Sequence, residues 1–351
     1  MIQSIPTYSN VNTIRLSALF GLLFFVCIAS LCLGAYAIPL GNTLSILFNS
    51  IGISSANFEL SQSNVLLQIR LPRILLNLLI GGGLGIAGAA LQGMFRNPLV
   101  EPGLIGVSSG SALFAIIFIV FISGGRTSAF LTSLGLPLFA FVGGLIHVGA
   151  VFKLSNSQGD SDTATLILAG IAINAFAGAL IGLVLFFADD SALRSFTFWS
   201  LGDMSGATWA KIPYALALIG IPSIFILQKT RELNALALGE QEAYHMGVSV
   251  RQVKILILIL SALIVGAGVS MVGIIGFVGL VVPHLVRLLF SADHRIVLPG
   301  SFLFGAILLN AADLIARLIV IPAEMPIGVI TALCGAPFFI WLIFNFKKTR
   351  S

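Results

Sequence analysis

A chain of 351 residues that is 58% hydrophobic, only 9% charged and +1.08 in mean hydropathy lies far outside the soluble range; about a quarter of a typical soluble domain is charged. The net charge of +5 and pI near 9.4 do not point to nucleic acid, because basic loops on one side of a membrane give the same balance. Cys27, Cys32 and Cys334 sit in apolar runs and offer neither a disulfide framework nor metal-ligand spacing.

In chain order, ten apolar runs predict membrane-spanning helices at roughly 16–38, 72–94, 99–122, 130–152, 164–187, 210–228, 253–273, 275–290, 297–320 and 327–346. The first follows Arg15, and Ala35-Tyr-Ala37 has the small-x-small form of a leader cleavage site. That run exceeds the usual leader core of about 7–15 residues, so a retained helix is expected. Runs such as ALIVGAGVSMVGIIGFVGLVV lack the alternation of a membrane β-barrel. Gly81-x-x-x-Gly85 and Gly178-x-x-x-Gly182 have the spacing that lets helix backbones approach closely. The block 253–290 is expected to break at Gly273, Gly276 and Gly279 into two helices, the second holding Pro283.

Basic residues set the orientation. Arg15, Arg96, Lys153, Lys229, Arg231, Arg251, Lys254, Arg287, Arg295, Lys347, Lys348 and Arg350 fall on one side of the ten runs. Arg70, Arg73, Arg126, Arg194, Lys211 and Arg317 fall on the other. The richer side is cytoplasmic, which puts both termini inside.

The stretch KTRELNALALGEQEAYHMGVSVRQVK at 229–254 interrupts this apolar chain on the cytoplasmic side. Arg231 to Leu238 reads as a helix ending at Gly239, and Glu240 to Met246 as a second ending at Gly247. Ser249-Val-Arg-Gln252 has capping-box spacing at the start of the next span. Two short helices hinged at glycines would form a rigid surface for another protein to grip; a merely solvated connector is the alternative.

NALALGEQEAYHMGVS resembles the cytoplasmic coupling helices of the FecCD family, the permeases of ABC importers for iron-siderophores, haem and vitamin B12. RLPRILLNLLIGGGLGIAGAALQGMFRNPLVEPGLIGVSSG, GFVGLVVPHLVRLL, DHRIVLPG and AEMPIGVITALCGAPFFIWLI resemble further family segments in the right order. The resemblance implies an all-α polytopic fold like that of the vitamin B12 permease (a type II ABC importer), with ten transmembrane helices per subunit. The whole chain, 1–351, would be one permease domain with coupling helices at about 229–252. It would lie in the bacterial inner membrane as a homodimer and need no cofactor, metal or nucleic acid. Its partners would be two cytoplasmic ATPase subunits and a periplasmic substrate-binding protein.

The sequence has no G-x-x-x-x-G-K-[ST] phosphate loop, so ATP hydrolysis is assigned to the separate subunit and no catalytic residue to this chain. By the resemblance, Leu236, Ala237, Leu238, Gly239, Glu240 and Ala243 sit in the ATPase groove. Arg70, Arg73 and Arg317 would receive glutamates of the binding protein; pairing of Arg317 with Asp313, four residues earlier, is an equal alternative. The pathway would run between two copies of the fifth span, past Asn174, Phe176 and Leu180. Asn174 could equally bond a neighbouring helix. SFTFWSLGDMSGATW at 195–209 looks most like haem permeases, although Asp203 stands where a small neutral residue is expected. Siderophore and vitamin B12 permeases are the alternatives. An ion-coupled carrier is less favoured, since such carriers place carboxylates at mid-membrane.

Overall fold

The computed structural model describes residues 8–53, 58–123, 129–155 and 163–348, and every regular element in them is a helix. Arg126 and Arg350 therefore lie outside the described residues, as do the side chains of Lys347 and Lys348. With no water at mid-bilayer, helices satisfy their own backbone groups, and the apolar runs fold accordingly.

Helix α1 (Tyr8–Cys32) leads into α2 (Leu40–Ser50) and then α3 (Leu60–Phe95), a continuous helix of 36 residues. Next come α4 (Val107–Ile122), α5 (Ala129–Ser155) and α6 (Thr163–Phe186). A short α7 (Asp190–Ser200) precedes α8 (Trp209–Leu227), α9 (Thr230–Leu238) and α10 (Glu240–His245). Then follow α11 (Val250–Val272), α12 (Val278–Leu289), α13 (His294–Ile319) and α14 (Ile327–Lys348).

Among the described residues, seven helices are long and apolar enough to cross a membrane: α1, α3, α5, α6, α8, α11 and α13. The other three expected spans correspond to shorter apolar helices, Val107–Ile122, Val278–Leu289 and Ile327–Trp341. The 12 residues of α12 rise only about 18 Å, short of a hydrocarbon core of about 30 Å.

The expected second span starts twelve residues early. Residues 60–71 continue α3 outward through a wider turn at Val65–Arg70. Their apolar face, led by Leu66, packs with Leu31, Ile38, Ile46 and Ile74 in a cluster that fixes α1 and α2. That cluster supplies what the local sequence lacks, since 60–71 is too polar to declare itself a span.

The middle of the bundle is α3, nearly all of whose residues from Leu71 to Phe95 are buried against α11, α12 and α13. A Cβ on Gly81 would strike the Gly305 carbonyl, and one on Gly85 the Ser301 carbonyl of α13. The first small-residue spacing therefore does bring two backbones together. The second does not among the described residues, for a Cβ on Gly178 or Gly182 would meet nothing within 4 Å. Helix α6, which carries that pair, has only 11% of its span buried. The 253–290 block breaks as expected after Val272, where Gly273 (φ 79°) turns against the Trp199 carbonyl, but Gly279 lies inside α12.

Candidate functional site

Helices α9 and α10 form the element expected to engage a partner. The joint, Gly239, has φ 138° and ψ 154°, a region open essentially to glycine alone. The far end is Gly247 at φ 81°. Ser249 stands at the N-cap of α11, but its side chain makes no capping bond, so the capping box expected there does not form. Its backbone carbonyl accepts from Val253 instead, and the hydroxyl is left in an exposed residue.

The pair is fastened to the bundle by polar contacts. Asn234 of α9 donates to Asp293 Oδ1 at 2.7 Å, while its own carbonyl accepts from the His294 backbone N–H at 3.0 Å. Lys254 of α11 holds Glu240 at 2.7 Å. Asp293 also caps α13 through the Arg295 N–H. Burial pushes the Asp293 carboxyl upward, but the Arg295 amide, Asn234 and nearby positive charge outweigh it and hold the group below the usual carboxylate range.

Exposure sorts the six expected coupling residues into two sets. Leu236 and Ala243 are fully buried in the chain's own core, so they anchor the helices and cannot touch a partner. Ala237 and Leu238 face outward, Leu238 at 68% exposure, and Gly239 and Glu240 after them are partly open. Tyr244 at 71% and Met246 at 62% complete an exposed apolar surface that sequence reasoning missed. The signal was present: Leu233 and Leu236, three apart, mark the inward face of α9, which leaves Leu238 on the other.

At the opposite end, the expectation of exposed arginines is not met. Arg70, Arg73 and Arg317 are 4%, 6% and 7% exposed. Arg73 Nε and Nη2 bond Asp313 Oδ1 at 2.9 and 2.8 Å, and Nη1 bonds Glu324 at 2.8 Å. Arg317 Nε lies 3.2 Å from Asp313 Oδ2, and its Nη2 bonds Ser30 Oγ at 2.6 Å. Arg70 donates to the carbonyls of Leu31 and Tyr36. Arg70 and Arg317 thus place positive charge at the C-terminal end of α1, where free carbonyls carry partial negative charge. The i, i+4 alternative for Arg317 is the arrangement seen. Asp313, fully buried, lies between two guanidiniums, and Glu324 is the exposed member of the network.

Along α6, Asn174 is half-buried and reaches the Gly103 carbonyl at 3.4 Å, while Phe176 is 61% exposed and Leu180 partly so. Asn174 therefore bonds a neighbouring segment, as its alternative reading allows. Asp203 accepts from the Ser205 N–H at 2.7 Å and hydroxyl at 2.6 Å. The unexpected acid closes its own turn.

The FecCD transport family matches residues 22–345. The chain belongs to that family. It is 44% identical over 308 residues to the hemin transport system permease protein HmuU of Yersinia pestis, covering 88% of this chain and 91% of that one. It is 41% identical over 275 residues to the cobalamin import system permease protein BtuC of Halobacterium salinarum, covering 78% and 72%. A solved structure described as an inward-facing conformation of a metal-chelate type ABC transporter superposes with a TM-score of 0.81. It is 34% identical, with 94% of this chain and 99% of that one covered. The chain is thus the permease component of an ABC importer, an all-helical membrane protein of BtuC-like fold. In this family ATPase activity resides in a separate subunit, which together with a binding protein completes the importer.

Proposed function

We propose that this permease moves haem from a periplasmic binding protein into the cytoplasm, driven by ATP hydrolysis in a partner subunit. The observation that carries the coupling half of this reading is the apolar surface of Leu238, Tyr244 and Met246 on a helix pair pinned by Asn234 and Lys254. Closure of two ATPase subunits would move a rigid pair as one piece, with Ala237, Gly239 and Glu240 also at the contact. No catalytic step is assigned to the chain itself. The surface would face the cytoplasm, both termini would lie on that side of the bacterial inner membrane, and the chain would act as one permease domain.

A homodimer is supported by α6, whose Gly178 and Gly182 meet no neighbour among the described residues and whose apolar side chains are largely uncovered. Two copies packed there would line a conduit with Phe176 and Leu180, suited to a bulky apolar cargo with no tight central site. Docking of the binding protein at Arg70, Arg73 and Arg317 needs an exchange, because their bonds are already made. An incoming carboxylate could take the place of the exposed Glu324 on Arg73 and return one ion pair for the one lost.

Haem is favoured by the 195–209 segment and by the 44% identity to a hemin permease. Ferric siderophores and cobalamin are the second reading, supported by the 41% identity to a cobalamin permease. Reconstitution with the ATPase and binding protein, followed by uptake of haem, a ferric siderophore and cobalamin, decides between them. Haem uptake alone is the expected result, and preference for either other ligand overturns the assignment.

A further inference from the structure

One cavity of about 290 Å³ lies in the flank of the bundle and takes no part in the coupling or docking sites. It opens between α5, α6 and α11, and its walls are apolar: Val148, Gly149 and Phe152 on α5, Leu166 on α6, and Ile255 and Ile259 on α11. All three helices are among those apolar enough to cross a membrane, and Ile259 is 52% exposed at the opening. A half-open, wholly apolar slot at this position admits a hydrocarbon chain and repels a polar ligand.

The end of the slot selects what enters it. Lys153 lies four residues beyond Gly149 on α5, and Arg251 four residues before Ile255 on α11. Four residues is one helical turn, so each cation continues the lined face of its own helix. Both are exposed, and no acid among the described residues pairs with either. Their neighbour Lys254, by contrast, is committed to Glu240. Two cations that no described acid pairs, at the mouth of an apolar slot between membrane helices, complement an anionic headgroup on an acyl chain.

We infer that this slot is a binding site for an anionic phospholipid, with one acyl chain between α5 and α11 and the phosphate held by Lys153 and Arg251. The lipid would brace α11, which continues directly from the coupling helices through Ser249. This inference does not depend on which substrate is carried.

The test uses the full-length chain in phosphatidylcholine nanodiscs doped with phosphatidylglycerol bearing a photoactivatable acyl chain. Cross-links are mapped by mass spectrometry. Labelling should fall on the α5 and α11 walls and be competed by unlabelled phosphatidylglycerol. Lys153→Gln and Arg251→Gln should each reduce it about five-fold, the effect of removing one membrane-surface cation. Gly149→Phe should block it with both cations intact, since a Cβ there meets nothing within 4 Å and the ring has the slot to fill. Equal labelling by a phosphatidylcholine probe overturns the inference, as does labelling indifferent to both charge substitutions. Cross-links between two copies across the slot would make it a protomer interface and overturn it too. The charge variants alter exposed residues, so they carry the test even if Gly149→Phe fails to fold.

Discussion

The two ends of this bundle handle their distinctive side chains in opposite ways. At the end opposite α9 and α10, the charged residues that the sequence offers to a partner are folded inward: Arg73 and Arg317 share the buried Asp313, and Arg70 caps α1. At the coupling end, apolar residues are turned outward: Leu238, Tyr244 and Met246 are exposed on a helix pair that Asn234 and Glu240 tie to the bundle through polar contacts. A motif fixes where a residue lies along the chain; which way it points depends on partners far away in sequence.

The largest expected effect comes from breaking the arginine network around Asp313. Asp313→Ala leaves two buried guanidiniums without their shared counter-charge and should cost about 3–5 kcal/mol, read as a large fall in the thermal unfolding temperature in detergent. A loss below about 1 kcal/mol would mean that water reaches these arginines and that the two ends are alike. Next, Asn234→Ala removes the tie between α9 and the start of α13, leaving the Asp293 and His294 groups to find other partners. It should cost about 2 kcal/mol and reduce transport per ATP hydrolysed in proteoliposomes.

The double substitution of Leu238 and Tyr244 by Ala should leave stability within about 0.5 kcal/mol, because both residues are exposed. It should nonetheless weaken co-purification of the ATPase about ten-fold; full retention would remove these residues from the contact. The smallest effect is a pH dependence. The Asp293 carboxyl titrates lower in the folded chain than in the unfolded one. Its stabilisation is complete above the unfolded value of about 4 and is lost as the pH falls through the folded value. Between pH 6 and pH 3, Asp293→Asn should therefore lose less stability than the parent chain in matched unfolding curves.

How much was legible in the sequence follows from how local each feature is. The apolar runs, the break at Gly273 and the glycine-jointed helices are properties of short windows, and the structure shows them. The outward extension of α3 was hidden because its apolar face closes on α1 and α2, not on its own neighbours in sequence. Arg73 misled for the same reason: its acids lie 240 and 251 residues away. Leu236 and Ala243 were grouped with Leu238 because a matched motif does not separate the buried face of a short helix from the exposed one.

The central claim is that work done on α9 and α10 by a separate ATPase drives transport. Ligand uptake into proteoliposomes holding the permease and its ATPase, with binding protein added and ion gradients collapsed by ionophores, measures it directly. The account predicts uptake that requires ATP hydrolysis and survives the ionophores. Uptake that proceeds without the ATPase and follows an imposed ion gradient would contradict it.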